Sequence, residues 1–391
     1  MIAFPQIPAQ ARPGLLRRVN RERVVRSLQT RGPLSRSDVA KHTGLGYATA
    51  VKICDSLEAS SFAESCSGQQ QNGAGRPGNF LRMSADKAQV IALALGPIEV
   101  RAASIALNGA VTGQMEKSAT PQNYASLLEQ IIKLVKKLDQ NTNANTLGLG
   151  VCVPGLIDSR SGEVKITPNI PSIDGHDLLA DLEKLTGLKT KLTGVMESQF
   201  LVEQIRGQAN GLENFALINY LGGLGAAACS DGHRITGARG MAGEIGHIVI
   251  NPDGELCGCG NHGCLETQAT DLALLKQVTK KLDREVSIAE MLEIQKNNPQ
   301  LIATEVSRFL DHLAIAIALT LQAYNPSTVF LLGRFLENDA HCFDQLIERL
   351  PRFCLSPLLE NCQVKLTRAD PLNGAGLAII EQLIAQLPTK S

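Results

Sequence analysis

The sequence contains no apolar run that approaches the roughly 20 residues needed to span a membrane. It also shows no signal-peptide pattern, so neither a membrane protein nor a secreted protein is expected. Without a secretion signal, its ten cysteines are expected to stay reduced rather than to pair as disulfides. These absences favour a cytoplasmic protein whose thiols are free.

The sequence also lacks an overall charge, because 38 basic residues balance 38 acidic residues. The two parts of the chain nevertheless differ. Residues 1–90 hold thirteen Lys and Arg against six Asp and Glu, a net charge of +7, and the remainder carries −7. A basic module on an acidic body indicates that a polyanion binds at one end only. The length of 391 residues predicts two or three domains.

Three cysteines, Cys257, Cys259 and Cys264, fall within eight positions and are separated by glycines, and His247 lies ten positions upstream of the first. Three thiolates and one imidazole are a complete ligand set for a tetrahedral zinc site, and the glycines allow the sharp turns that it needs. No coordination position remains for water, so the predicted Zn²⁺ is structural. A glycine-rich loop with incidental cysteines and a disulfide are the alternatives, although Cys257 and Cys259 are too close to bridge comfortably.

The basic N-terminal region shows a helix-turn-helix pattern. A first helix is predicted over residues 20–29, a second from Ser35 to about Gly44, with Asp38 completing an imperfect capping box, and a third over residues 47–59. Two short helices joined by a tight glycine turn are typical of DNA-binding modules. An ordinary helical hairpin is the alternative.

The third helix is expected to lie in the DNA major groove with its N-terminal residues at the base edges. The residues predicted there for DNA contact are Tyr47, Thr49, Val51 and Lys52. Apolar contact with thymine methyl groups is the expected mode for Val51, with Tyr47 and Lys52 on phosphates or bases. The polar segment that follows predicts the wing of a winged helix, and Arg76 at its tip is predicted to enter a narrow minor groove.

The segment from Gly243 to Glu266 contains G-E-I-G-H followed by C-G-C-G-x-x-G-C-L-E, which resembles the signature of the ROK family of repressors, open reading frames and sugar kinases. The resemblance runs from about Val19 to the C-terminus. It implies an α/β fold with an N-terminal winged helix-turn-helix followed by an actin-like body of two ribonuclease-H-like lobes around a cleft. The implied domains are an arm at residues 1–18, a winged helix at 19–85 and a ROK-type body at 86–391, with the zinc loop at 244–266. Family members assemble as homodimers or tetramers.

The sequence departs from the family's sugar kinases in three motifs. Ala94, Pro97 and Ile98 replace the acid, the second glycine and the threonine of the phosphate loop D-x-G-G-T. Gly194 and Val195 replace the Asn and the catalytic Asp of E-N-D, and residues 221–227 keep half the glycines of G-T-G-x-G-G-G. A register slip of two would instead bring Glu197 to the catalytic place. The body is therefore expected to be a kinase fold that is not an enzyme.

Four residues match family positions that face sugar hydroxyls: Asn169, Glu244, His247 and Glu266. The resemblance therefore implies a sugar or sugar derivative as effector, although Glu244 and Glu266 supporting the zinc loop is the alternative. The combined expectation is a zinc-stabilised transcriptional regulator, a repressor of sugar-utilisation genes that binds a double-stranded DNA operator. An active ROK sugar kinase with a fused DNA-binding domain and a repressor controlled by a protein partner are the rival interpretations.

Overall fold

The computed structural model describes residues 13–67, 79–158 and 161–387. The helices of these residues are α1 (Pro13–Arg31), α2 (Arg36–Thr43), α3 (Tyr47–Ala59), α4 (Tyr124–Gln140), α5 (Leu178–Thr186), α6 (Val195–Arg206), α7 (Asp271–Leu282), α8 (Ile288–Asn297), α9 (Ala303–Tyr324), α10 (Arg334–Asn338), α11 (Ala340–Arg349), α12 (Ser356–Leu359) and α13 (Pro371–Gln386). The strands are β1 (Leu34–Ser35), β2 (Ala63–Ser67), β3 (Asn79–Met83), β4 (Ala88–Leu95), β5 (Glu99–Ala106), β6 (Val111–Ala119), β7 (Asn145–Val153), β8 (Leu156–Ile157), β9 (Val164–Ile166), β10 (Lys189–Gly194), β11 (Phe215–Asn219), β12 (Gly225–Ser230), β13 (His233–Arg234), β14 (Thr328–Leu332) and β15 (Gln363–Leu366).

The chain divides into two compact units, and each contains a five-stranded sheet of the same topology. The first unit takes in residues up to 212 and residues from 369, and the second takes in residues 213–368. The strand orders are β10-β7-β4-β5-β6 and β13-β12-β11-β14-β15. In both sheets three consecutive strands pair antiparallel and the last two add in parallel on the other side of the first strand. This repeat confirms the predicted pair of ribonuclease-H-like lobes.

The central strands are apolar along their whole length because helices cover both faces of each sheet. All residues of β4, β11 and β14 are buried. The long helix α9 packs against the core along its whole length, since its buried residues recur at helical spacing through its 22 positions. Among the described residues, no helix is both long enough and apolar enough to cross a membrane.

The N-terminal module contains α1 to α3 and a small sheet in the order β1-β3-β2. Ser35 caps α2 by accepting a hydrogen bond from the backbone N–H of Asp38 at 3.1 Å, as the capping pattern predicts. Gly44 ends α2 in the left-handed region, with a φ of 70°. Strands β2 and β3 pair antiparallel, as the predicted wing requires. The tip of the wing, with Arg76, lies outside the described residues.

One predicted boundary was wrong. Helix α1 begins at Pro13, so residues 13–18 are helical rather than part of an arm; proline suits a first helical turn, and Arg18 pairs with Glu22 one turn on.

Helix α13 begins at Pro371. Asp370 caps this helix, and Gly374 is needed for close packing, because a Cβ there would lie 1.9 Å from the backbone oxygen of Ser198.

The N-terminal module shares a hydrophobic core with the rest of the first unit. Val24 and Leu28 of α1 belong to the same buried cluster as Ile380 and Ile384 of α13. Arg21, only 6% exposed, donates hydrogen bonds to the carbonyl oxygens of Ile384 at 3.0 Å and Leu387 at 2.6 Å. These carbonyls lie at the C-terminal end of α13, where the next helical turn is missing, and that of Ile384 also accepts the backbone N–H of Leu387 at 3.3 Å. The orientation of α1 is therefore tied to α13.

Replacing Arg21 with methionine is expected to lower the free energy of unfolding of the first unit by about 1.5–3 kcal/mol, the range for hydrogen bonds from a charged donor. The side chain keeps its apolar stem but no longer reaches the carbonyls that end α13. Urea unfolding followed by circular dichroism measures the change. Arg18→Met is the matched control, because Arg18 lies on the same helix and is largely exposed. Equal losses in the two variants would contradict the assigned role of Arg21.

Candidate functional site

The four predicted metal ligands converge in the second unit. The Nδ1 or Nε2 of His247 and the Sγ atoms of Cys257, Cys259 and Cys264 all lie within 4.8 Å of one another. His247 ends a short 3₁₀ turn, and Cys264 immediately precedes another. Isolated bridges between Val249 and Cys264 and between Leu256 and His262 bring the two ends of the loop together.

Glycines make this folding possible. Gly260 and Gly263 have φ values of 90° and 66°, in the region that side chains disfavour. At Gly263 a Cβ would also lie only 1.5 Å from the backbone oxygen of Asn251, so no other residue fits there. The close spacing of glycines and cysteines in the sequence therefore has a direct geometric cause.

The sulfur separations suit a tetrahedral metal. Sγ of Cys259 lies 3.6 Å from Sγ of Cys264, and Sγ of Cys257 lies 3.6 Å from Nδ1 of His247. Metal–sulfur bonds of about 2.3 Å in a tetrahedron place two sulfurs about 3.8 Å apart. All three cysteines are free, so the disulfide alternative is not what the structure contains. The donor set and its spacing therefore fit a metal ion.

The three thiols differ in acidity. The backbone N–H of Asn261 faces Cys259 and lowers the pKa of this exposed thiol to about 7. Burial raises the pKa of Cys257 and of Cys264. Metal coordination requires thiolates, so an incoming cation must offset the cost of ionising the two buried thiols.

Two of the predicted sugar-facing residues surround the metal ligands. Glu266 Oε1 lies 2.9 Å from Cys257 Sγ and 3.7 Å from His247 Nδ1, and Glu244 Oε2 lies 3.9 Å from His247 Nε2. The imidazole of His247 thus turns one nitrogen towards the cysteines and the other towards Glu244. Burial raises the pKa of Glu244. The proximity of Glu266 to Cys257 is the contact that sequence reasoning did not specify.

Glu266 also reaches the loop that replaces the kinase motif G-T-G-x-G-G-G. Its Oε2 accepts a hydrogen bond from the backbone N–H of Leu224 at 3.4 Å. A Cβ at Gly223 would lie 3.5 Å from the same oxygen. The carboxylate therefore joins the metal ligands to residues 221–227. Its position suits both predicted roles, contact with a sugar and support of the metal site.

Asn169, the fourth predicted sugar-facing residue, belongs to the first unit and is exposed. Its loop is held by Thr167, whose hydroxyl donates to Asp174 at 2.7 Å. The structure brings Glu244, His247 and Glu266 together within the second unit. Asn169 is not part of that cluster.

The residues that replace the kinase phosphate loop form a tight turn between β4 and β5. Gly96 N–H donates to the Glu99 carbonyl at 3.0 Å, and Ile98 at the tip is 82% exposed. Ala94 stands directly opposite Arg101 in the sheet, and the Arg101 guanidinium forms two hydrogen bonds of 2.9 Å with Asp370. A fixed ion pair therefore lies beside the position where kinases carry an acid.

Gly194 and Val195 stand at the junction of β10 and α6. Gly194 is the N-cap of α6, and no side-chain hydrogen bond caps this helix. The nearest atom to a Cβ at Gly194 would be the Gly155 oxygen at 3.7 Å, so a larger residue fits there. Val195 is half-buried and packs on the core around α13. An apolar residue thus occupies the place predicted for the catalytic acid, and Glu197 lies half-buried in the first turn of α6.

The predicted DNA-contacting residues occupy the start of α3. Tyr47 is 61% exposed, Thr49 and Lys52 are exposed, and Val51 is half-buried. Ala50, on the opposite side, is fully buried and packs into the module core. The structure thus presents one face of α3 to solvent.

The two ribonuclease-H-like units and the helical module at the N-terminus define the class of protein. The ROK family model matches residues 90–382, and the chain belongs to the ROK family. The xylose repressor of Bacillus subtilis strain 168 is 24% identical over 327 residues, which are 83% of this chain and 84% of that protein. The DNA-binding transcriptional dual regulator NagC of Escherichia coli K12 is 27% identical over 338 residues, 83% of this chain and 82% of NagC.

Solved structures show the same fold. A ROK family transcriptional regulator described as a homolog of the E. coli MLC protein superposes with a TM-score of 0.79 at 23% identity, covering 95% of this chain and 97% of that chain. A ROK hexokinase from Thermus thermophilus gives a TM-score of 0.63 at 25% identity, covering 74% of this chain and 97% of the hexokinase. Both repressors and kinases are therefore relatives, and kinship alone does not decide between regulation and catalysis.

Proposed function

We propose that the chain is a DNA-binding transcriptional regulator, a repressor of sugar-utilisation genes. One observation carries the proposal: a helix-turn-helix with an exposed α3 face is joined to a ROK body whose kinase motif positions hold Ala94, Pro97 and Val195. The relatives named as xylose and N-acetylglucosamine repressors align with 83% of the chain, more than the ROK body matched at residues 90–382. We assign residues 19–85, together with residues 13–18 that complete α1, to the DNA-binding domain, and residues 86–391 to the ROK body.

The proposed effector is a sugar or a sugar derivative, as the names of the repressor relatives suggest. Glu244 and Glu266 offer carboxylate oxygens that accept hydrogen bonds from neighbouring hydroxyls. His247 belongs to the same cluster, and Asn169 in the first unit is proposed separately as a sugar contact. Gly194 and Val195 offer no side-chain hydrogen bond, so the ligand is expected to differ from an ordinary hexose at the hydroxyls that face them.

We further propose that the metal is a structural Zn²⁺ held by His247, Cys257, Cys259 and Cys264. With all four coordination positions supplied by the protein, the ion fixes the loop and leaves no place for a reacting water. Glu266 then orients the ligand set from outside, in the way that carboxylates commonly support zinc-bound histidine. This arrangement lets one residue contact both the metal ligands and a bound sugar.

Helix α13 could couple sugar binding to DNA binding, because each of its ends contacts a different part of the first unit. Asp370, beside its first turn, pairs with Arg101 opposite Ala94, and Arg21 of the DNA-binding module holds its last carbonyls. Sixteen helical residues span about 24 Å. We propose that effector binding shifts α13 and thereby changes the placement of α1. A homodimer or tetramer would present two such modules to the half-sites of one operator.

The full-length protein is expected to bind its operator in a strongly salt-dependent manner. Lys52→Ala removes one phosphate or base contact, so the salt slope should fall by about 1, and Arg76→Ala should weaken binding most at A·T-rich flanks. Fluorescence anisotropy over a salt series measures both effects. The matched control is Lys136→Ala, an exposed lysine of α4 in the body. Wild-type affinity and slope in Lys52→Ala would contradict the groove assignment.

A further inference from the structure

We infer that the α3 helix reads its operator chiefly through the methyl groups of thymine, using Ala48, Thr49 and Val51. The inference rests on the proposed DNA-binding function and specifies its chemistry. It concerns the bases that the helix selects and not the affinity for DNA as such.

The geometry of α3 defines the reading surface. Tyr47, Ala48, Val51 and Lys52 occupy positions one, two, five and six of the helix, so they share one face, and Thr49 lies at the edge of that face next to Lys52. Tyr47, Ala48, Thr49 and Lys52 are exposed, and Val51 is half-exposed. Ala50, Cys54 and Leu57 are buried on the other side. A helix docked by this face therefore brings short apolar side chains to the base edges.

The chemistry of that face excludes the usual hydrogen-bonded readers of adenine and cytosine. Within residues 46–52 no side chain carries a carboxamide, a carboxylate or a guanidinium. Arginine and lysine select guanine, Asn and Gln select adenine, and Asp and Glu select cytosine, whereas alanine and the threonine methyl group contact thymine methyl. Lys52 is the one charged side chain of the segment. The Thr49 hydroxyl can bond to more than one base, so base discrimination by Ala48, Thr49 and Val51 is left mainly to their methyl contacts.

The charges on α3 do not oppose the approach of DNA to this face. The first turn of α3 contains no acidic residue. Two acidic residues lie further along α3, and Arg36 of α2 donates a hydrogen bond through Nη2 to each of them, to Asp55 at 2.8 Å and to Glu58 at 3.0 Å. The guanidinium of Arg36 is therefore already hydrogen-bonded to these carboxylates. Its positive charge offsets their negative charges near the place where DNA phosphates would approach. The same ion pairs keep Arg36 from serving as a guanine reader.

The test uses the full-length protein and an operator selected from a random duplex library at physiological salt. Each thymine of a half-site is replaced in turn by deoxyuridine, which lacks only the methyl group. Affinity is measured by fluorescence anisotropy. Each contacted methyl is expected to change Kd by about fourfold, the ratio for one buried methyl group. The salt slope should stay unchanged, because no phosphate contact is altered.

Two protein variants assign the effect to residues. Thr49→Ser keeps the hydroxyl and removes the methyl, and it lies at an exposed position; Val51→Ala removes two methyl groups, with circular dichroism melting as the check on folding. Each is expected to abolish the sensitivity to deoxyuridine at one position of the half-site. Lys52→Ala is the control, because it should weaken binding to both duplexes by the same factor.

The possible results distinguish a failure of methyl reading from a failure of the proposed DNA-binding function. Selective operator binding in which every deoxyuridine duplex stays within twofold of the thymine duplex would overturn methyl reading and leave the regulator standing. A deoxyuridine effect that persists unchanged in both Thr49→Ser and Val51→Ala would overturn the assignment to this face. Failure to select any duplex would remove the proposed DNA-binding function and this inference with it.

Discussion

Replacing Cys259 with serine is expected to remove the bound metal and to lower the free energy of unfolding by more than about 4 kcal/mol, a loss characteristic of metal sites. Binding free energy at a structural zinc is folding free energy, because the unfolded chain holds no preformed site. Cys259 is exposed, so the substitution leaves no cavity and the loss reports coordination alone. Native mass spectrometry should find one zinc per wild-type chain and none in the variant.

Two controls distinguish coordination from a general effect of losing a thiol. Cys362→Ser changes a half-buried cysteine of the same unit that is not among the four clustered ligands, and it should keep both metal and stability. A strong chelator should bring the wild type down to the stability of Cys259→Ser and leave that variant unchanged. A metal-free native protein with full stability would remove the proposed zinc site.

Local features of the chain were predictable from the sequence. The metal ligands fall within 18 positions, and their spacing has few structural solutions. Helix α3 has the predicted bounds, because Gly44 and Gly46 interrupt the chain before Tyr47. In each case the residues that predict the local structure lie within the same short segment as that structure.

Contacts between segments that are far apart in the sequence could not be predicted in this way. Arg21 and Ile384 are 363 residues apart, and nothing near Arg21 in the sequence distinguishes it from exposed arginines such as Arg18. The pairing of Arg101 with Asp370 is likewise set by strand order and by the entry of α13. The need for glycine at position 374 is also hidden in the sequence, because the residue it packs against, Ser198, belongs to another helix.

The full-length protein is expected not to phosphorylate sugars. Ordinary sugar kinases would turn over at about 1–100 s⁻¹, and loss of the general base alone lowers a rate by about 10²–10⁴. Here Val195 replaces the base, Pro97 lacks a backbone N–H for phosphate, and Ala94 cannot help to hold a metal. The measurement is coupled ADP release with ATP, magnesium and a panel of hexoses, amino sugars and pentoses.

Restoring the base alone is not expected to restore turnover. In Val195→Asp the new carboxylate would stand at a half-buried position, where desolvation raises its pKa, and the turn at Gly96 would still expose Ile98 instead of a threonine hydroxyl. Arg101 would remain paired with Asp370 beside Ala94, holding a fixed cation next to the place of the kinase acid.

The affinity for a hexose is expected to change more clearly in these variants than the rate of ADP release. Space at Gly194 admits a larger side chain, so Gly194→Asn combined with Val195→Asp should strengthen binding of an ordinary hexose in calorimetry while ADP release stays at background. Gly194→Ala with Val195→Ala is the matched control, since it adds no hydrogen-bonding group. Sugar-dependent turnover at kinase rates in the wild type, abolished by Glu244→Ala, would instead establish an active kinase with a fused DNA-binding module. Regulation would then have to accompany catalysis, because the exposed face of α3 is present in either case.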